Sequence, residues 1–185
     1  MDTSLTWLQN LTKSPSGDDW RRLAEAYGPL LIKWTTRAGI PPSDRDDLVQ
    51  EVMIVVARRV KEFEHAHPGA FRGWLRAILS NQIKKYFREH PGPVCMIPLE
   101  DVANSESVLS SIFDREHDEY FAARAMRMAK VDFEPVTWRA FEMQVLDGRT
   151  PKETSETLKL SLNAVIKAKS RVLKRLRQEL GRIVD

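Results

Sequence analysis

The chain has 185 residues, enough for one domain or two small ones, with 29 basic and 26 acidic side chains and a formal charge of +3. One cysteine excludes an internal disulfide, and no apolar run approaches the roughly 18 residues of a membrane span. The opening MDTSLTWLQN has neither the basic nor the apolar region of a secretory signal, so a cytoplasmic protein with no membrane insertion is expected.

Helical periodicity runs through the chain and nothing alternates as a strand, so the fold is expected to be all-α. A short helix over residues 4–13 is stopped by SPSG. The next opens at Asp18-Asp19, whose carboxylates suit a helix N-terminus, and carries Trp20, Leu23, Leu30, Leu31 and Trp34, with a kink or break expected at Tyr27-Gly28-Pro29. AGIPPSD separates it from a third helix, with Ser43 as the expected N-cap and Asp44, Asp46 and Asp47 in its first turn. That helix presents Leu48, Val52, Val55, Val56, Val60 and Phe63 and ends before HAHPG.

AFRGWLRAILSNQIKKYFREH, residues 70–90, follows as one helix. Phe71, Trp74, Leu75, Ile78, Leu79 and Tyr86 share one arc at 100° per residue. Asn81, Lys84, Lys85 and Arg88 line its flank at i, i+3, i+4 and i+7, with Lys85 overlapping the apolar edge. A solvated charged face is the ordinary reading of such a stripe. Only Glu89 balances this one, however, and cations beside an amide suit a nucleic-acid backbone with a base nearby. On the preceding helix, Asp47, Gln50 and Glu51 share a face turned away from Leu48, Val52 and Val56. Capping explains Asp44 and Asp46. Gln50 and Glu51 lie too deep for the helix dipole and suit a basic surface on a protein partner.

Residues 91–113 contain PGPVCMIP and NSESVLSS, acidic and poor in aromatics, and read as a flexible linker that holds Cys95. Helices are expected to resume at Asp114 and again at Pro135, the latter ending at Gly148. The expected organisation is two small helical domains, 1–90 and 114–185, joined by that acidic linker.

The last two helices have the layout of a helix-turn-helix. Thr150 caps the first, with Pro151 at N1 and Glu153 at capping-box spacing. A short turn at Lys159-Leu160 leads to Ser161 as a second N-cap. Leu162, Val165, Ala168, Val172, Leu176 and Leu180 form the expected buried stripe. Asn163, Lys167, Ser170 and Lys174 line the opposite face, with Arg171 at its edge, as in a helix that enters the major groove. A basic helix in a protein interface is the competing reading.

Taken together, these segments resemble a bacterial sigma factor of the extracytoplasmic-function group of the sigma-70 superfamily. DRDDLVQEVMIVVARRVKEF is similar to that family's core-binding segment. FRGWLRAILSNQIKKYFRE is similar to its promoter-melting and −10-reading segment, and VTWRAF followed by LSLNAVIKAKSRVLKRLRQEL to its −35-reading domain. The resemblance implies no catalytic site. It implies contact of Asp47, Gln50 and Glu51 with the β′ coiled coil of core RNA polymerase, and of the second domain with the β flap. Asn81, Lys84, Lys85 and Arg88 would engage the −10 element, with Asn81 near an extruded base. Asn163, Lys167, Ser170, Arg171 and Lys174 would face the −35 groove. Trp138 and Phe141 are expected to pack the second domain, and an anti-sigma factor is a common partner in this family. The chain departs from many relatives at Lys159, where they have Gly, and over residues 164–168, where they have T-V-K-S-R.

Other chemistries find little support. His65 and His67 in EHAH, and His117 in DREHDE, lack a third ligand at recognisable spacing, Cys95 has no CxxC, and there is no Gly-rich phosphate loop. No cofactor, metal or enzymatic activity is expected. A stand-alone helix-turn-helix regulator binding DNA as a dimer accounts for the C-terminal half but gives the Asp-Leu-Val-Gln-Glu segment no role. The acids Glu100, Asp101, Glu106 and Asp114 are expected to screen the basic surfaces of the free protein.

Overall fold

The computed structural model describes residues 11–64, 69–91 and 108–183, and among them all regular structure is helical. Residues 11–13 are helical, and the remainder of the short first helix expected over 4–13 lies outside the described residues, as do His65, His67, Cys95, Glu100, Asp101 and Glu106. The labelled helices are α1 (Gly17–Arg37), α2 (Pro42–Arg59), α3 (Ala70–Glu89), α4 (Val108–Lys130), α5 (Pro135–Val145), α6 (Pro151–Leu158) and α7 (Leu162–Ile183), with a 3₁₀ turn at Val60–Glu62. The chain divides into two compact units whose boundary passes through α4, between Tyr120 and Phe121.

In the first unit α1, α2 and α3 pack around Leu23, Tyr27, Leu30, Leu31, Trp34, Leu48, Val52, Val56, Phe71, Leu75, Leu79 and Ile83, all buried. The helix ends follow local chemistry. Ser16 caps α1, whose first residue, Gly17, lies one position before the expected start. The Ser16 hydroxyl accepts from the Asp19 amide, while Asp19 accepts from the Ser16 amide at 2.9 Å, a capping box built on aspartate. The expected break at Pro29 does not occur, because α1 runs on to Arg37. The expected cap at Ser43 is also corrected. Pro41 is the N-cap and Pro42 takes N1, where its fixed φ suits the helix and its missing N–H costs nothing, while the Ser43 hydroxyl donates to Asp44 at 2.6 Å. At the start of α3, Gly69 has φ +81°, a left-handed conformation that favours glycine.

Aromatic edges lock α1 to α3. Phe71 meets Tyr27 and Phe63 in T-shaped contacts, each at 5.5 Å, and Trp34 meets Phe113 of α4 at 4.3 Å. Helix α4 begins at Val108, six residues earlier than the expected resumption, and Phe113 in that added stretch is buried. Asp114 and Asp118, one turn apart, meet Arg72 and Arg76, also one turn apart on α3. Arg72 reaches Asp114 at 3.2 Å and Asp118 at 2.7 Å, and Arg76 reaches Asp114 at 3.1 Å. Glu116, 6 % exposed, accepts from the Trp34 indole at 3.2 Å and pairs with Lys33 at 3.3 Å and Arg37 at 2.9 Å. His117 is 1 % exposed and lies against the Tyr27 ring, a core residue rather than a solvated one.

The second unit centres on Ala129, Trp138, Phe141 and Val172, with Met126, Phe133, Leu173 and Leu176 around them. Trp138 and Phe141 are buried there, as expected. The Trp138 indole donates to Glu142 at 2.7 Å, satisfying the N–H within its own helix. Arg175 of α7 donates to Asp132 at 2.7 Å and to the buried Glu179, which holds α7 to the turn before α5. The Asp132 carboxylate, followed by Glu179, holds the Arg175 guanidinium even more firmly protonated than usual.

Candidate nucleic-acid and protein interfaces

Helices α2 and α3 border one groove, to which the acidic set contributes Asp47 and Glu51 and the basic stripe contributes Lys85. It has a volume of about 440 Å³ and is lined by Asp44, Asp47, Leu48, Glu51, Gln82, Lys85, Tyr86, Glu89 and His90. Asp47, Gln50 and Glu51 are all exposed, since Leu48, Val52 and Val56 turn the other face of α2 into the core. Lys85 stands apart from the rest of its stripe. Its ammonium lies 3.2 Å from Glu51, so one residue expected at nucleic acid is paired with one expected at a protein. Asn81 and Arg88 are exposed and Lys84 half-buried, and among the described residues neither Lys84 nor Arg88 has a carboxylate partner. Among the described residues, the stripe therefore has two cations that meet no carboxylate, an exposed amide, and Lys85 paired with Glu51.

The end of the groove is fixed by a contact that sequence reasoning assigned only to capping. The Tyr86 hydroxyl donates to Asp44, joining the last turn of α3 to the first turn of α2. Hydrogen bonds from Ser43 and then Tyr86 hold the Asp44 carboxyl below its usual range. The same bond to Asp44, with burial, pushes the Tyr86 phenol up to about 12. His90 stacks on the Tyr86 ring at 4.4 Å. A buried tyrosine at the end of a helix facing an aspartate at the start of its neighbour was the available signal. Arg72 and Arg76, also missed, had theirs in the matching one-turn spacing of Asp114 and Asp118.

In the second unit α6 opens with the expected capping box. The Thr150 hydroxyl accepts from the Glu153 amide at 3.2 Å, and Glu153 accepts from the Thr150 amide at 2.8 Å. Lys159 then adopts φ 52°, a left-handed residue that turns the chain, and the Ser161 hydroxyl accepts from the Ala164 amide at 3.2 Å to start α7. Gln144 of α5, buried, donates to the Val165 carbonyl at 3.1 Å and pins the first turn of α7 to the unit's core. Val165, Ala168 and Val172 are buried as expected, with Leu176 and Leu180 half-buried. Leu162 is a correction. It is 49 % exposed, because at the first helical position it lies ahead of the surface that α5 and α6 cover. Asn163, Lys167, Ser170, Arg171 and Lys174 are exposed along the outer face, and among the described residues none of those cations meets a carboxylate.

No group of three or more metal-ligating side chains occurs among the described residues, and no described helix is long and apolar enough to cross a membrane. Residues 23–91 match the family model Sigma-70 region 2, in keeping with the resemblance drawn from the sequence. No curated protein matches the chain. Among solved structures, the chain is similar to "Structure of CnrH in complex with the cytosolic domain of CnrY", with 18 % identity, 96 % of this chain and 97 % of that chain covered, and a TM-score of 0.41.

Proposed function

We propose that the chain is a sigma factor of the extracytoplasmic-function group, acting in the cytoplasm, that binds core RNA polymerase and directs it to promoters through −10 and −35 elements. What supports this reading is the α2–α3 pair within residues 23–91, where the family match falls on an outward acidic set beside a basic stripe of which, among the described residues, only Lys85 meets a carboxylate. Residues 1–90 take polymerase through Asp47, Gln50 and Glu51 against the β′ coiled coil. Asn81, Lys84, Lys85 and Arg88 engage the −10 element, where extracting a base costs about a few kcal/mol of stacking, offset by phosphate and pocket contacts. Residues 91–113 connect to 114–185, whose α6 and α7 act as a helix-turn-helix. Asn163, Lys167, Ser170, Arg171 and Lys174 meet the −35 major groove, and the unit's remaining surface meets the β flap. An anti-sigma factor that covers either face is the expected regulator. No step of this role requires a catalytic group of the chain.

The test is transcription in vitro with bacterial core polymerase and genomic promoter fragments, with Gln50→Ala/Glu51→Ala as the comparison. Discrete starts that share two upstream elements, lost in the folded double variant, are the expected result. Dimeric binding to a palindrome without polymerase would replace this reading with that of a stand-alone regulator.

A further inference from the structure

The outer face of α7 is not uniformly polar. Ile166 is 49 % exposed, as is Leu162 one turn earlier, and Ile166 lies one turn from both Asn163 and Ser170. An isoleucine half in water is unremarkable on most surfaces. Here it sits in a stretch, residues 161–174, that has Lys167, Lys169, Arg171 and Lys174 and no acidic side chain. The surface is thus cationic with an apolar edge near the start of the helix. Gln144 holds that start rigidly through the Val165 carbonyl, one residue before Ile166.

The chemistry that fits both halves of this surface is duplex DNA with a thymine at the matching step. Phosphates take the cations, and thymine alone among the four bases places an apolar group, its C5-methyl, in the major groove. We propose that Ile166 packs on that methyl and sets a thymine preference within the upstream element. The proposal rests on reading α6 and α7 as the DNA-binding pair. Discrimination has two sources. Thymine lets Ile166 and a methyl leave water together, whereas a guanine or cytosine at that step would lose hydration from O6 or N4 beneath a side chain that offers no hydrogen bond.

The test begins with selection from a random duplex pool by the full chain bound to core polymerase. In the selected element each thymine is replaced in turn by uracil, which removes only the C5-methyl. At one position uracil should weaken binding by about five-fold. Ile166→Ala should bind the thymine and uracil duplexes equally. Ile166→Arg should shift selection at that step toward guanine. Cytosine at the same step should bind better once it carries a 5-methyl. Uracil tolerated at every position by the wild-type chain, or an equal uracil penalty in Ile166→Ala, overturns the proposal while leaving the DNA-binding reading intact. If no upstream element is enriched at all, that reading fails and the proposal falls with it. Because Ile166 is half-exposed and its replacement by alanine favours helix, the variant retains its fold.

Discussion

Tyr86, near the end of α3, donates its hydroxyl to Asp44 in the first turn of α2, so a single bond closes one end of the groove between the two helices. The contact sets two titrations. Asp44 is held below its unfolded value, so its contribution to stability is present above that value and is lost as pH falls through the lowered one. Tyr86 is raised from 10.0 to about 12, so its contribution is present below 10.0 and disappears as pH rises through 12. In Asp44→Asn the tyrosinate absorbance change of Tyr86 should move back toward 10.0. Tyr86→Phe should lower the thermal midpoint at neutral pH, and by less in acid.

Glu116 is the hub between α4 and α1, and its removal strands the buried indole of Trp34. Glu116→Ala should therefore cost about 2 kcal/mol in urea unfolding. Glu116→Gln keeps an acceptor for Trp34 but gives up Lys33 and Arg37, and should cost less. Equal losses would show that the ion pairs, not the indole bond, dominate.

The pairing of Lys85 with Glu51 ties the two proposed interfaces of the first unit together. Glu51→Gln should weaken polymerase binding yet strengthen binding of the free chain to single-stranded DNA, by releasing Lys85. Adding Lys85→Ala should cancel the second effect. Lys84→Ala and Arg88→Ala should each reduce the salt dependence of single-strand binding by about 0.7 in log–log slope.

Lys159 pays a backbone cost at φ 52° where glycine would pay none. Lys159→Gly should raise stability by about 0.5 kcal/mol, less than the full left-handed penalty because glycine also loosens the unfolded chain. Lys159→Val should lower it, since a β-branched residue tolerates that conformation poorly. Urea unfolding measures both.

Much of this molecule could be read from local rules. The capping box at Thr150 and Glu153, the N-cap at Ser161 and the buried run Val165, Ala168 and Val172 each depend on residues within a few positions of one another. So does the outward placement of Asp47, Gln50 and Glu51, which follows once Leu48 and Val52 are buried. What tertiary structure decided were the pairings between distant segments. Asp114 and Glu116 look like solvated charge along the chain, but across space they meet Arg72, Arg76, Lys33, Arg37 and Trp34, and α4 extends back to Val108. Leu162 fits the apolar period of α7 yet stands in water, because periodicity defines a face and not how far a neighbouring helix covers it. The same limit applies to charge. Sequence alone placed Lys85 on a basic stripe, and only the packing of α2 on α3 gave it Glu51 as a partner, since a Coulomb interaction depends on distance through space.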